Sequence, residues 1–367
     1  MERRFFWMLI WGTTAFAQPA LPPACAPYPN GCLYNPGAAQ TVAGTTANIS
    51  YRDAGGQTRS FEVYVRVPVT AQGALPVVIW SQDGEGTTDS RSVMPAWSEA
   101  TARAGYMTVS VAHTPRTEDE KNRFCTAMAV PAEYCPYLNL VMWDSPNDLK
   151  RVLDWLEEMN TSGPEEVRGR IDLRRIAMAG HGEGANAGIS LAGARRLLTA
   201  NDAGTANDFT DPRPVAFAGL SPQGPQQAGF FDSEVGRPTT SWTAIERPVL
   251  GVTSAGDNTC GAPGLCALGD SPSRRRIPYD VMPRGGKYEL FLKTVEVSHS
   301  LIGSLDTAEC AGQGIAPANC ANFANWLRAT VLAFLDANVR GVAAARTWLQ
   351  GNLIEPASGS IAEWRRK

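Results

Sequence analysis

Histidine is scarce in this chain: His113, His181 and His299 are the three in 367 residues. The eight cysteines contain no C-x-x-C pair. Both absences place a cysteine–histidine zinc cage well below disulfides as the reading of these cysteines. No polybasic run occurs, and Lys plus Arg (33) nearly balance Asp plus Glu (36) for a net charge of −3. That balance argues against nucleic-acid partners and against an anionic membrane surface. Internal repeats and low-complexity tracts are missing too. The one notable apolar run, Phe5 to Ala17, falls short of the roughly 20 residues that span a bilayer. It follows Arg3 and Arg4 and ends in Ala15-Phe16-Ala17, so it reads as a signal peptide cleaved near Ala17 and predicts a secreted or periplasmic protein.

Cysteines suit that destination. They fall as sequence neighbours, Cys25/Cys32, Cys125/Cys135, Cys260/Cys266 and Cys310/Cys320. Pairing within each couple is the simplest of 105 connectivities. A hydrophobic content of 44% is ample for a large core. The chain divides into a signal peptide (1–17), an extended Pro/Gly/Ala-rich arm (18–45), one domain (46–352) and a C-terminal tail (353–367). The tail, ending in "EWRRK", reads as a frayed, solvated end.

Within the domain, strands and helices alternate. "TANISYRD" and "RSFEVYVRVPV" alternate apolar and polar residues, as strands with one wet face do. "LPVVIWS" is continuously apolar, as in a buried parallel strand. A helix over 91–105 and the strand "YMTVSVAH" follow. Residues 114–138 read as a loop insertion. "SPNDLKRVLDWLEEMN" has helical spacing and opens on Ser-Pro. Later come the strands "PVAFAGLS", "RPVLGVTSAGD" and "KYELFLKTVEVSH", a helix from about Cys320 to Asn338, and a shorter one around 341–351. The alternation predicts an α/β fold with a mostly parallel sheet flanked by helices.

Between these halves lies "IAMAGHGEGANAGISLAGAR", Ile176 to Arg195: a strand, a glycine turn and a helix. In the G-x-S-x-G elbow of serine hydrolases the middle position carries the nucleophile. Here it is Gly182. Glycine has no Cβ and accepts the unfavourable backbone of such a turn freely. Asp257 follows the strand "PVLGVTSAG" and His299 follows "YELFLKTVEVS", the order in which such hydrolases supply acid and base. Asp257 would then orient the imidazole, and His299 would act as general base. Two backbone amides must face the developing oxyanion. One is that of Glu183. The second belongs to the loop after "VVIWS", at Asp83, where a carboxylate would be unfavourable beside negative charge. The bland alternatives are a surface histidine at 299 and a turn aspartate at 257.

These motifs resemble secreted bacterial α/β-hydrolases of the dienelactone hydrolase and platelet-activating-factor acetylhydrolase-like group, over most of residues 60–340. The group shows S-H-G-x-G-G where this chain has "SQDGEG". It shows "GY" and a strand ending in His, as in "AGYMTVSVAH" up to His113, and a helix like "NDLKRVLDWL". It shows G-H-S-x-G-A before L-A-G, where this chain has "GHGEGANAGISLAG", and then "SPQG". The resemblance implies an α/β-hydrolase fold, a carboxylic-ester hydrolase lineage and a triad mapping onto Gly182, Asp257 and His299. It also implies no cofactor or metal, and a small-molecule ester or an acyl or aromatic ligand as partner.

Without a serine, acyl-enzyme chemistry is expected to be reduced or lost. Ser81, Ser298 and Ser300 are the substitute hydroxyls. The alternatives are an inactivated Ser-to-Gly form of an active esterase and a ligand-binding protein that no longer cleaves, with Trp80 or Trp97 as pocket aromatics or, more simply, as core. Gly180-x-Gly182-x-x-Ala185 also matches a dinucleotide fingerprint. The acidic residue expected to end the next strand is missing, so a nucleotide is the remote reading.

Overall fold

The computed structural model describes residues 25–28, 31–84, 86–132, 135, 140–165, 167–196, 207–225, 240–258 and 271–367. The expected signal peptide and the Cys260/Cys266 couple lie outside the described residues.

Eleven strands are present among them: β1 (Cys25–Tyr28), β2 (Gly31–Tyr34), β3 (Val42–Arg52), β4 (Thr58–Pro68), β5 (Leu75–Ser81), β6 (Met107–Val111), β7 (Ile171–His181), β8 (Pro214–Leu220), β9 (Val249–Ser254), β10 (Lys287–Leu292) and β11 (Ala362–Arg366). The helices are α1 (Pro95–Arg103), α2 (Glu118–Ala127), α3 (Val141–Ser162), α4 (Glu183–Ala192), α5 (Pro272–Arg275), α6 (Ile277–Val281), α7 (His299–Ser304), α8 (Thr307–Gly312), α9 (Pro317–Leu335), α10 (Ala343–Gln350) and α11 (Ile354–Ala357).

Nine strands form one mixed sheet in the order β11-β10-β9-β8-β7-β5-β6-β4-β3. From β6 to β10 the neighbours are parallel, and β3, β4 and β11 run antiparallel to theirs. The period-two alternation of a strand sends successive side chains to opposite faces. In β5, Val78 and Trp80 enter the core packed by α1, α9 and α10, while Val77 and Ile79 enter the core on the α3 and α4 side. This two-sided burial is why "LPVVIWS" reads as continuously apolar. Trp80 and Trp97 stack at 5.6 Å within the first core, both fully buried, so neither lines a ligand pocket.

Three expectations need correction. The arm is more than an extended strand, because β1 and β2 form a hairpin. Its expected limit at residue 45 falls inside β3, whose polar face hid the start of the sheet. The insertion at 114–138 contains α2, opened by a capping box in which Thr117 and Glu120 cap each other. The tail is not frayed. β11 pairs with β10, and Trp364 is buried with its ring stacked on Tyr288 at 5.6 Å. Its Arg365 is held by Glu289 and Asp280, and its Glu363 by Arg276, on the neighbouring elements.

Disulfides join Cys125 to Cys135 and Cys310 to Cys320, as sequence proximity suggested. Cys32 is also disulfide-bonded.

Candidate active site

In open parallel sheets the carboxyl ends of the strands form a crevice where the strand order reverses. Here the chain runs outward from β5 to β6, then returns across β5 to β7. Asp83 follows β5, His181 ends β7, Asp257 follows β9, and His299 lies beyond β10. Residues far apart in sequence therefore converge at one end of the sheet.

The turn between β7 and α4 is tight. Gly182 sits at φ 50°, ψ −118°, a conformation that side chains rarely adopt. Close approach fixes its neighbours as well. A Cβ on Gly180 would lie 2.5 Å from the Gly184 carbonyl carbon, and one on Gly184 would overlap the Ser81 backbone. A Cβ on Gly182 would overlap the carboxylate of Asp83. The space a serine would need at the elbow is thus already filled by Asp83.

His299 lies between two carboxylates. Its Nδ1 is 2.8 Å from Asp257 Oδ1, and its Nε2 is 2.8 Å from Asp83 Oδ2. The other oxygen of Asp83, Oδ1, accepts the backbone N–H of Glu183 at 2.7 Å. Asp257 is fully buried, accepts the Thr253 hydroxyl at 2.7 Å, and has Arg275 Nε at 3.4 Å. Burial alone would lower the His299 imidazolium, but its bonds to Asp257 and Asp83 outweigh that and raise it to about 9. Burial opposes ionisation of Asp83, yet His299, His181 and the Glu183 amide hold it well below the usual carboxylate range. The arrangement is a carboxylate–imidazolium–carboxylate relay. While it persists, His299 has no free base nitrogen and the Glu183 amide has no vacancy for an oxyanion.

His181 lies beside this relay. Its ring centroid is 4.1 Å from that of His299, and it is buried. Burial, reinforced by His299, pushes its pKa down to about 4. Glu183 points away from the relay into a buried ion pair with Arg196 at 2.7 Å. Asn186 of α4 accepts the Gln223 N–H at 3.1 Å, tying the "SPQG" loop to the elbow helix.

The structure brings Asp83, Gly182, Glu183, Asp257 and His299 together. The substitute hydroxyls are engaged elsewhere: Ser81 with His113 at 2.8 Å, Ser298 as N-cap of α7, and Ser300 with Glu309 at 2.8 Å. Sequence reasoning missed His181 and Arg275 as members. His181 stands inside the elbow motif, one residue before Gly182, so its position was the available signal. Arg275 lies in a region without a motif.

No protein-family model matches the chain, and no curated protein matches it.

Proposed function

We propose that this protein is an α/β-hydrolase of carboxylic-ester hydrolase lineage in which serine-type activity is reduced or lost. One observation carries the reading: the Asp257–His299 pair is intact, but it ends on Asp83, which fills the serine space above Gly182 and accepts the Glu183 amide. An acid–histidine pair aimed at a glycine elbow is the remnant a triad leaves when its nucleophile is removed. The mixed, mostly parallel sheet and the strand-end location of the site support the same lineage. The Cys125–Cys135 and Cys310–Cys320 disulfides, with Cys32 bonded as well, support export. The remote dinucleotide reading is disfavoured, because a phosphate would need the amide that Asp83 occupies and would meet a carboxylate there.

The test is hydrolysis of p-nitrophenyl esters, acetate to octanoate, by the parent, Gly182→Ser, and Asp83→Gly with Gly182→Ser. The parent and the single variant are expected to be silent, because Asp83 blocks the restored hydroxyl. The double variant is expected to turn over short esters. A folded double variant silent on every ester would sink the lineage reading. Parent turnover that persists after EDTA stripping and is abolished by His299→Ala would overturn the loss of serine-type activity.

A further inference from the structure

The geometry points to a divalent transition-metal site built from His181, His299 and the carboxylate of Asp83. One ligand-capable atom from each lies within 4.8 Å of the other two. A metal with bonds of about 2.0–2.2 Å holds such atoms roughly 3.4 Å apart, so the His299–Asp83 pair at 2.8 Å would open to admit it while His181 closes in. Asp83 lies on the loop after β5 and His299 at the first turn of a short helix.

A second observation comes from His181. Its Nε2 is buried and has no hydrogen-bond partner among the described residues. A buried polar atom left unmatched is costly, and an ion or ordered water is the usual explanation. A third comes from Asp257. Ligating histidines commonly give their other ring nitrogen to a carboxylate, which fixes the ring and raises its basicity. His299 does this with Nδ1, leaving Nε2 for the metal. The ion would replace the proton that Nε2 now shares with Asp83.

Two imidazoles and one carboxylate suit zinc, cobalt, manganese or ferrous iron, and suit magnesium or calcium poorly. Three protein ligands leave a position for water, whose bound hydroxide is a nucleophile near neutral pH. The ion would thus supply what Gly182 cannot. This goes beyond the ester-hydrolase reading, and binding is measured without any ester, so the two can fail separately.

The full chain, without a histidine tag, is stripped with EDTA and titrated with Co²⁺ by visible absorption and with Zn²⁺ by calorimetry. One equivalent of each is expected. Asp83→Asn and His181→Gln should each abolish the cobalt bands in protein whose fold is checked by circular dichroism. Asp257→Asn should weaken zinc about 10–100-fold, the usual effect of losing an outer-shell partner. Asp83 sits on a loop, so its variant keeps the test sound if His181→Gln fails to fold. Absence of cobalt bands and of zinc heat in the folded parent would overturn the site. So would uptake that survives both ligand variants, or equal competition by Mg²⁺.

Discussion

Asp83 Oδ2 and His299 Nε2 stand 2.8 Å apart, although 216 residues separate them in sequence. That bond closes the site on itself. It joins the loop after β5 to the first residue of α7, and it consumes the nitrogen through which His299 would act on any other group.

Gly182→Ser alone should destabilise the fold. The φ of 50° and ψ of −118° cost a side-chain-bearing residue about 1–3 kcal/mol, and the new Cβ must also displace the Asp83 carboxylate. Thermal unfolding should show the melting temperature falling by several degrees. Adding Asp83→Gly should recover part of the fall, since it relieves the overlap and leaves the backbone strain. Equal melting temperatures for the parent and the single variant would contradict the packing described.

Asp148 is expected to be among the most sensitive polar positions. It is fully buried and accepts Arg59 Nε and Nη2, each at 2.7 Å, His113 Nδ1 at 3.0 Å and the Tyr51 hydroxyl at 3.0 Å. Asp148→Ala leaves buried Arg59 with only Asp144, at 3.4 Å, as its carboxylate partner, and losing one partner of a buried ion pair costs about 3–5 kcal/mol. Urea denaturation measures it. A loss below about 1 kcal/mol would mean the network opens to solvent.

Lys287 should make stability rise at alkaline pH. Burial lowers its ammonium to about 8 from 10.5, with Lys367 adding repulsion. Between those values the unfolded chain holds a proton that the folded chain has released, so folding becomes more favourable as pH increases. The cost of the buried charge is fully present below about 8 and is relieved toward 10.5. In urea unfolding at pH 7.5, 9 and 10, the stability of the parent relative to Lys287→Met should increase steadily. A flat difference would refute the shift.

Trp364→Ala should cost about 3–5 kcal/mol, as truncation of a buried tryptophan does. The ring stacks on Tyr288, and its indole N–H donates to the Leu349 carbonyl at 2.9 Å. A surface-like loss in thermal unfolding, within about 0.5 kcal/mol, would return this segment to the frayed end its charges suggested.

Local chemistry explains what could be read in advance. β5 and the β7–α4 turn were legible because two-sided burial demands an unbroken apolar run and close packing demands glycine. Asp257 and His299 were legible because each falls in the connection after a late strand, Asp257 close behind β9 and His299 at the start of α7 after β10. β11 was not, because an edge strand carries its charges on an exposed rim, and their partners Glu289 and Asp280 lie about 75 to 85 residues away. The destination of the Asp83 side chain was equally hidden. A loop conformation is fixed by the elements that converge on it, here Gly182, Glu183 and His299, and none is its sequence neighbour.

The carboxylate that fills the elbow also ties together two positions far apart in the sequence. A serine arriving at position 182 meets Asp83, and an Asp83 replacement arriving first abandons the Glu183 amide and His299 with nothing gained. Each step is unrewarded without the other. The two positions are coupled in space, and a side chain at 182 fits only together with a change at 83.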